Sequence, residues 1–245
     1  MDPKRLSQLQ DLGLTAWAPR QRAQSPSVKR PAANQSAPVP AVALTVPIAG
    51  SGDGRSTAIA AMDWDALAVA VKDCTACGLR AGCTQTVFGV GDREARWLVI
   101  GEAPGADEDR QGEPFVGRAG QLLNSMLTAI GLKREQVYIA NVLKCRPPGN
   151  RDPKPEEAET CRPYLERQIA LIKPGIILAL GRIAAQNLLN TETPIGKLRG
   201  GVHRLGEIPV VVTYHPAYLL RSPGEKRKAW VDLQLAVRTL KEAAP

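Results

Sequence analysis

The chain has 245 residues, 44% of them hydrophobic, enough for one sizeable domain with a packed core plus an appendage. No apolar run reaches the roughly 18 residues a membrane helix needs, and the polar start MDPKRLSQLQ lacks the apolar stretch of a secretion signal, so a cytoplasmic protein with no membrane segment is expected. The formal net charge is +8, but residues 1–60 hold seven Lys/Arg against three Asp/Glu, so the remainder is only mildly basic; that permits a polyanionic partner such as DNA without demanding one.

Residues 3–16 predict a short helix, with Leu6, Leu9 and Leu12 at three-residue spacing. From Trp17 to Ala61 the chain is rich in Pro, Ala, Ser, Gln and Gly, with neither helix nor strand periodicity, and reads as a disordered linker. Residues 1–61 are thus expected to form an N-terminal arm, and 62–245 a folded domain. Four short apolar runs within the domain predict buried strands at 97–100, 137–140, 176–180 and 210–213. Helical patterns lie between and after them at 117–132, 155–175, 182–190 and about 225–241, one ending at Gly131 and one at Pro174-Gly175. Alternating strands and helices predict an α/β fold with a parallel sheet covered on both faces.

Residues with chemical potential follow the strands. GEAPGADED (101–109) leaves the first, NVLKCRPPGN (141–150) the second, and TYHPAYLLR (213–221) the fourth. In open parallel sheets the carboxyl edge is where ligands bind, so these distant segments are expected to meet in one crevice. Gly101 and Gly105 allow close backbone approach to a ligand, and Glu102 puts a carboxylate on the crevice floor. Asn141 offers a donor and an acceptor side by side, which suits a nucleobase edge, although a turn-forming Asn has the same signature. His215 at a strand end can donate a hydrogen bond or titrate, whereas His203 lies in a hairpin-like connection and reads as structural. Phe115, between glycines, fits either a base-stacking platform or a core anchor. Tyr218–Arg221, apolar then cationic in a loop, fits a wedge entering a DNA stack, with Arg221 on a phosphate, or the buried start of a helix.

Five cysteines in a reducing compartment argue for a metal site and a spare thiol. Cys74 and Cys77 form a C-x2-C pair, while Cys145 and Cys161 have fifteen residues between them. Four thiolates suit zinc or an iron–sulfur cluster, and the wide second pair leans toward the cluster. Cys83 falls outside both pairs.

Taken together, CTACGLRAGCTQTVFGVGD, GEAPGADEDRQGEPFVGRAGQLL, VYIANVLKCRPPGNRDP and TYHPAYLLR, in this order over about residues 70–240, resemble the family 4, iron–sulfur branch of the uracil-DNA glycosylases. The resemblance implies a three-layer α/β/α domain with a four-stranded parallel sheet and a monomer that removes uracil from DNA. It further implies a 4Fe–4S cluster on Cys74, Cys77, Cys145 and Cys161. By the same likeness Glu102 handles the attacking water, Phe115 stacks on uracil, Asn141 reads its edge and His215 sits beside its carbonyl. Gly101 and Ala103 contribute backbone to the uracil pocket, Glu108 falls where the thymine methyl is blocked, and Leu219, Leu220 and Arg221 face DNA. Family 5 relatives lack the acid that Glu102 supplies, and CRPPGNRDPKPEE has no histidine of the kind found in relatives that trap DNA covalently. The arm matches no motif; its leading segment reads as a fraying terminal helix in preference to a docking element, DNA or a protein being the partner in the docking alternative. The competing class is a non-catalytic DNA-binding accessory protein of the same fold, against which the full set of Glu102, Asn141 and His215 speaks.

Overall fold

The computed structural model describes residues 54–243. The helix expected over 3–16 and most of the linker lie outside the described residues. The linker's last eight residues do not. Gly54–Ala61 form a helix (α1), followed by α2, Trp64–Lys72, capped by the Asp63 carboxylate accepting from the Ala66 amide at 2.9 Å. Ile59 is only 2% exposed, so residues 54–61, expected as linker, pack with the folded domain. Their anchor is a tertiary contact: one apolar residue in a small-residue segment carries too little periodicity to announce a helix.

Among the described residues the sheet has six strands. β1 (Val90–Gly91) and β2 (Trp97–Gly101) are followed by the short helix α3 (Ala106–Gln111), then α4 (Arg118–Ala129) and β3 (Tyr138–Asn141). Next come α5 (Pro155–Ile172), β4 (Ile176–Leu180), α6 (Arg182–Leu189), α7 (Ile195–Leu198), β5 (Val202–Leu205) and β6 (Ile208–Thr213). The chain closes with α8 (Pro216–Arg221) and α9 (Lys226–Glu242). Strand order is β1-β3-β2-β4-β6-β5; the four central strands are mutually parallel, and β1 and β5 add antiparallel edges. The four strands read from apolar runs are this central set. The edges escape such a reading because β1 has two residues and β5 is partly exposed along its length. His203 sits in the β5–β6 hairpin, its Nε2 bonded to the Leu198 carbonyl at 2.6 Å, a structural role.

Alternating residues of the buried strands face opposite layers. Leu98 and Ile100 pack with Leu165 and Ile169 of α5 and Ala184 of α6. Trp97 and Val99 pack with Leu123 and Leu127 of α4 and Leu233 of α9. This is the three-layer α/β/α arrangement, with α1 and α2 added outside α5, where Ile59, Leu67 and Val71 enclose Tyr164. A buried carboxylate pins the segment after the first cysteines to the sheet's carboxyl edge: Asp109 of α3 accepts from the amides of Thr84 at 2.8 Å and Gln85 at 3.3 Å.

Candidate active site

Register brings the chemistry together. Gly101 pairs with Asn141 across β2 and β3, and β6 runs on to His215 at the cap of α8. Glu102, Glu108, Phe115, Asn141, His215 and Arg221 all line one cavity of about 420 Å³, along with Ala103. Segments far apart in sequence thus meet where the parallel strands end, as open α/β sheets dictate.

Asn141 is 1% exposed, and its Oδ1 has no hydrogen-bond partner among the described residues. A buried carbonyl oxygen without a donor costs free energy, so one aimed into a cavity invites an N–H from a ligand. Gly101 makes this possible: a Cβ there would collide with the Asn141 side chain and the Phe115 ring.

Phe115 has φ +55°, unusual for an aromatic residue. Several bonds hold it there. Glu108 Oε1 accepts from the amides of Val116 and Gly117 at 2.9 and 3.2 Å, while Arg134 donates to the carbonyls of Pro114 and Phe115. Gly120 leaves room for the Phe115 carbonyl, which a Cβ would strike. The ring belongs to the core with Leu123 and Leu219 and also borders the cavity, 5.5 Å from the His215 ring between centroids. The core-anchor reading therefore holds, and the same ring also borders the cavity that the platform reading requires.

His215 Nδ1 accepts the Ala217 N–H at 3.1 Å. Burial, then the charge of Arg221, lower its pKa to about 4 against the opposing pull of Glu108. The ring is neutral near pH 7, and with Nδ1 accepting, Nε2 carries the proton. Glu102 makes no side-chain hydrogen bond among the described residues. Burial raises its pKa to about 7, helped by the charge of Asp152 and opposed by Arg182.

The wedge needs correction. Residues 218–221 lie in helix α8 rather than a loop, and Leu219 is 1% exposed in the core beside Phe115, so it has no free side chain to enter DNA. Leu220 is half-buried; Tyr218, 37% exposed, and the exposed Arg221 form the rim. Pro147, which is buried, and Asn150 and Arg151 nearer the surface line the same cavity. Sequence reasoning passes over these three although they sit inside CRPPGNR, because rim placement depends on how the loop turns.

Cys74, Cys77, Cys145 and Cys161 line a second, small cavity behind β3. Burial raises the Cys145 and Cys161 thiol pKa values, with neighbouring thiols adding to the effect. Among the described residues no three Cys, His, Asp or Glu side chains converge on a single ion. The four thiols border one common space, and sulfur donors of this kind suit zinc or an iron–sulfur cluster. Cys83, read as a spare thiol, is buried beside Cys145, its own sulfur near Arg80.

A doubly covered parallel sheet with a polar, aromatic-walled cavity at its carboxyl edge defines an α/β ligand site of enzyme type. Residues 88–234 match the family model described as the uracil DNA glycosylase superfamily. The chain is 50% identical over 161 residues to a type-4 uracil-DNA glycosylase of Archaeoglobus fulgidus, covering 62% of this chain and 81% of the relative. It is 44% identical over 176 residues to the Thermotoga maritima type-4 protein, covering 70% and 92%. A third type-4 protein, from Pyrobaculum aerophilum, is 41% identical over 182 residues, covering 71% and 93%. The chain belongs to the uracil DNA glycosylase superfamily, in its type-4 family. No helix among the described residues is long and apolar enough to cross a membrane.

Proposed function

We propose that this protein is a uracil-DNA glycosylase of cytoplasmic base excision repair, acting as a monomer that flips uracil out of DNA and hydrolyses its N-glycosidic bond to leave an abasic site. The orphaned Oδ1 of Asn141 carries the reading. Uracil presents an N3–H beside the O4 acceptor, which one amide side chain satisfies, its carbonyl taking N3–H and its amide giving to O4. Phe115 supports the base face, and Glu108 braces the Phe115 loop while bordering the cavity where a thymine methyl would project.

The base is inaccessible inside a duplex, so flipping precedes chemistry at a cost of a few kcal/mol. Tyr218 and Arg221 border the space the base enters, Leu220 lies next to them in α8, and Arg221 meets phosphate. As the C1′–N1 bond breaks, the sugar gains cationic character and the bonding electrons move onto the uracil ring. The Nε2–H of neutral His215, with backbone amides near Gly101 and Ala103, stabilises that charge as an oxyanion hole does. Ionised Glu102 orients water toward C1′, favours the cationic sugar and takes the water's proton as the new C1′–O bond forms. Cys74, Cys77, Cys145 and Cys161 hold a 4Fe–4S cluster, which supplies a cross-link between the chain before β1, the loop after β3 and helix α5. The residues at the scissile bond act without it.

A labelled oligonucleotide with a single uracil, treated with protein and then alkali, should break at that position. Glu102→Ala should slow single-turnover release by about 10²-fold or more while DNA binding stays near parental, since positioning water acts in the transition state. An unbroken strand with folded parent protein would reduce the molecule to a DNA-binding accessory.

A further inference from the structure

Lys144 is 2% exposed, among the largest fully buried side chains of the fold. Its three ammonium protons are spent on the carbonyls of Asn141 at 2.9 Å and Phe88 at 3.3 Å and on Gln168 Oε1 at 2.6 Å. All three acceptors are neutral. None of the ion pairs among the described residues includes Lys144. A cation taken out of water with no anion beside it is expensive, and proteins retain one where an opposite charge is supplied. Its surroundings point to the source: Lys144 lines the cavity that the four paired cysteines line, and its own amide donates to Cys161 Sγ at 3.4 Å.

We infer that Lys144 is the built-in counter-charge of the cysteine-held cluster, a positioning residue that offsets the net negative charge of four thiolates around the metal core and sets its potential. This rests on the iron–sulfur reading above. The reduced cluster is one charge more negative, so a fixed cation beside it favours reduction and raises the potential. The cation also makes the thiolate set easier to bury, so its loss weakens retention of the metal.

The test uses anaerobically purified full chain. Iron and sulfide are counted first, then midpoint potential is read by protein-film voltammetry and iron release to a chelator by absorbance. Lys144→Met should lower the potential and speed iron release about tenfold, as changes around a metal's ligands do. Lys144→Arg, which keeps the charge, should hold the potential near the parent's. Should Lys144→Met fail to accumulate, Gln168→Glu keeps the lysine, sets a carboxylate against it, and should lower the potential in the same direction. A parent without iron would defeat the cluster reading itself. An iron-loaded parent whose foldable charge-removing variants keep its potential and retention would overturn the role of Lys144 alone.

Discussion

Asn141 and Glu102 do different work with similar atoms. Asn141 offers one acceptor and one donor, fixed by its place at the end of β3. Cytosine presents an N3 acceptor beside an N4 amino donor, the reverse pattern, and each mismatched buried group costs roughly 1–3 kcal/mol. Asn141→Asp trades the donor for an acceptor. It should lose uracil excision and narrow the uracil-to-cytosine preference, measured on matched oligonucleotides; a variant that keeps the parental uracil rate would show that another residue reads the base. On the proposed mechanism Glu102 orients water only when ionised, and its pKa is raised to about 7. Single-turnover excision should therefore rise with pH to a plateau, with a midpoint near that value. Asp152→Asn removes a like charge and should shift the midpoint down; Arg182→Gln removes the opposing cation and should shift it up. A merely structural Asp152–Arg182 pair, 2.6 Å apart, would leave the midpoint in place. His215, lowered to about 4, stays neutral across that window. The linkage has a definite sign. Because the folded pKa of Glu102 lies above the ordinary 4.5, its ionisation opposes folding as pH rises through that interval. Glu102→Gln should thus raise the melting temperature at about pH 8 and leave it nearly unchanged at about pH 4.

At the scale of elements, the platform and the rim come from packing decisions. The Phe115 turn is overdetermined by Glu108, Arg134 and Gly120, which explains how a left-handed aromatic residue persists. Helix α8 buries Pro216 and Leu219 and leaves Tyr218 and Arg221 outside. Helix α1 belongs to the fold because Ile59 is buried against α5, Arg55 donates to the Thr160 carbonyl at 2.9 Å, and its guanidinium stacks on Tyr164. Burying one Ile side chain stabilises by roughly 1.5–3 kcal/mol. A chain starting at residue 54 should melt where the full chain does and excise at its rate, whereas one starting at residue 63 should melt roughly 5 °C lower by circular dichroism. Equal melting of the two truncations would make α1 an ornament.

For the molecule as a whole, one stretch of chain serves both cavities. The end of β3 brings Asn141 to one, the loop after it brings Cys145 to the other, and α5 lines the second with Cys161. Loss of the cluster should therefore be felt as lost stability before it is felt as altered chemistry. Anaerobically purified protein should be brown with about four irons per chain. Cys145→Ser or Cys161→Ser should bleach it and lower its melting temperature, and Cys83→Ser, though beside Cys145, should keep both colour and stability. Stoichiometric zinc without iron would refute the cluster.

The sequence by itself determined the class of fold and the inventory of the site. Fully buried parallel strands must be unbroken apolar runs, so the four central strands were visible, and chemistry placed after such strands must gather at one edge. Glu102, Asn141 and His215 stand at strand ends and do border one cavity, which Phe115, singled out by its place between glycines, borders too; the paired cysteines, singled out by their spacing, border another. Tertiary structure alone decided what periodicity does not encode. It showed that Leu219 faces inward, that residues 54–61 fold, that Arg151 and Asn150 stand at the rim, and that the Asn141 oxygen is left without a partner. Each is a matter of which neighbours a side chain meets across the fold, and those neighbours lie tens of residues away along the chain.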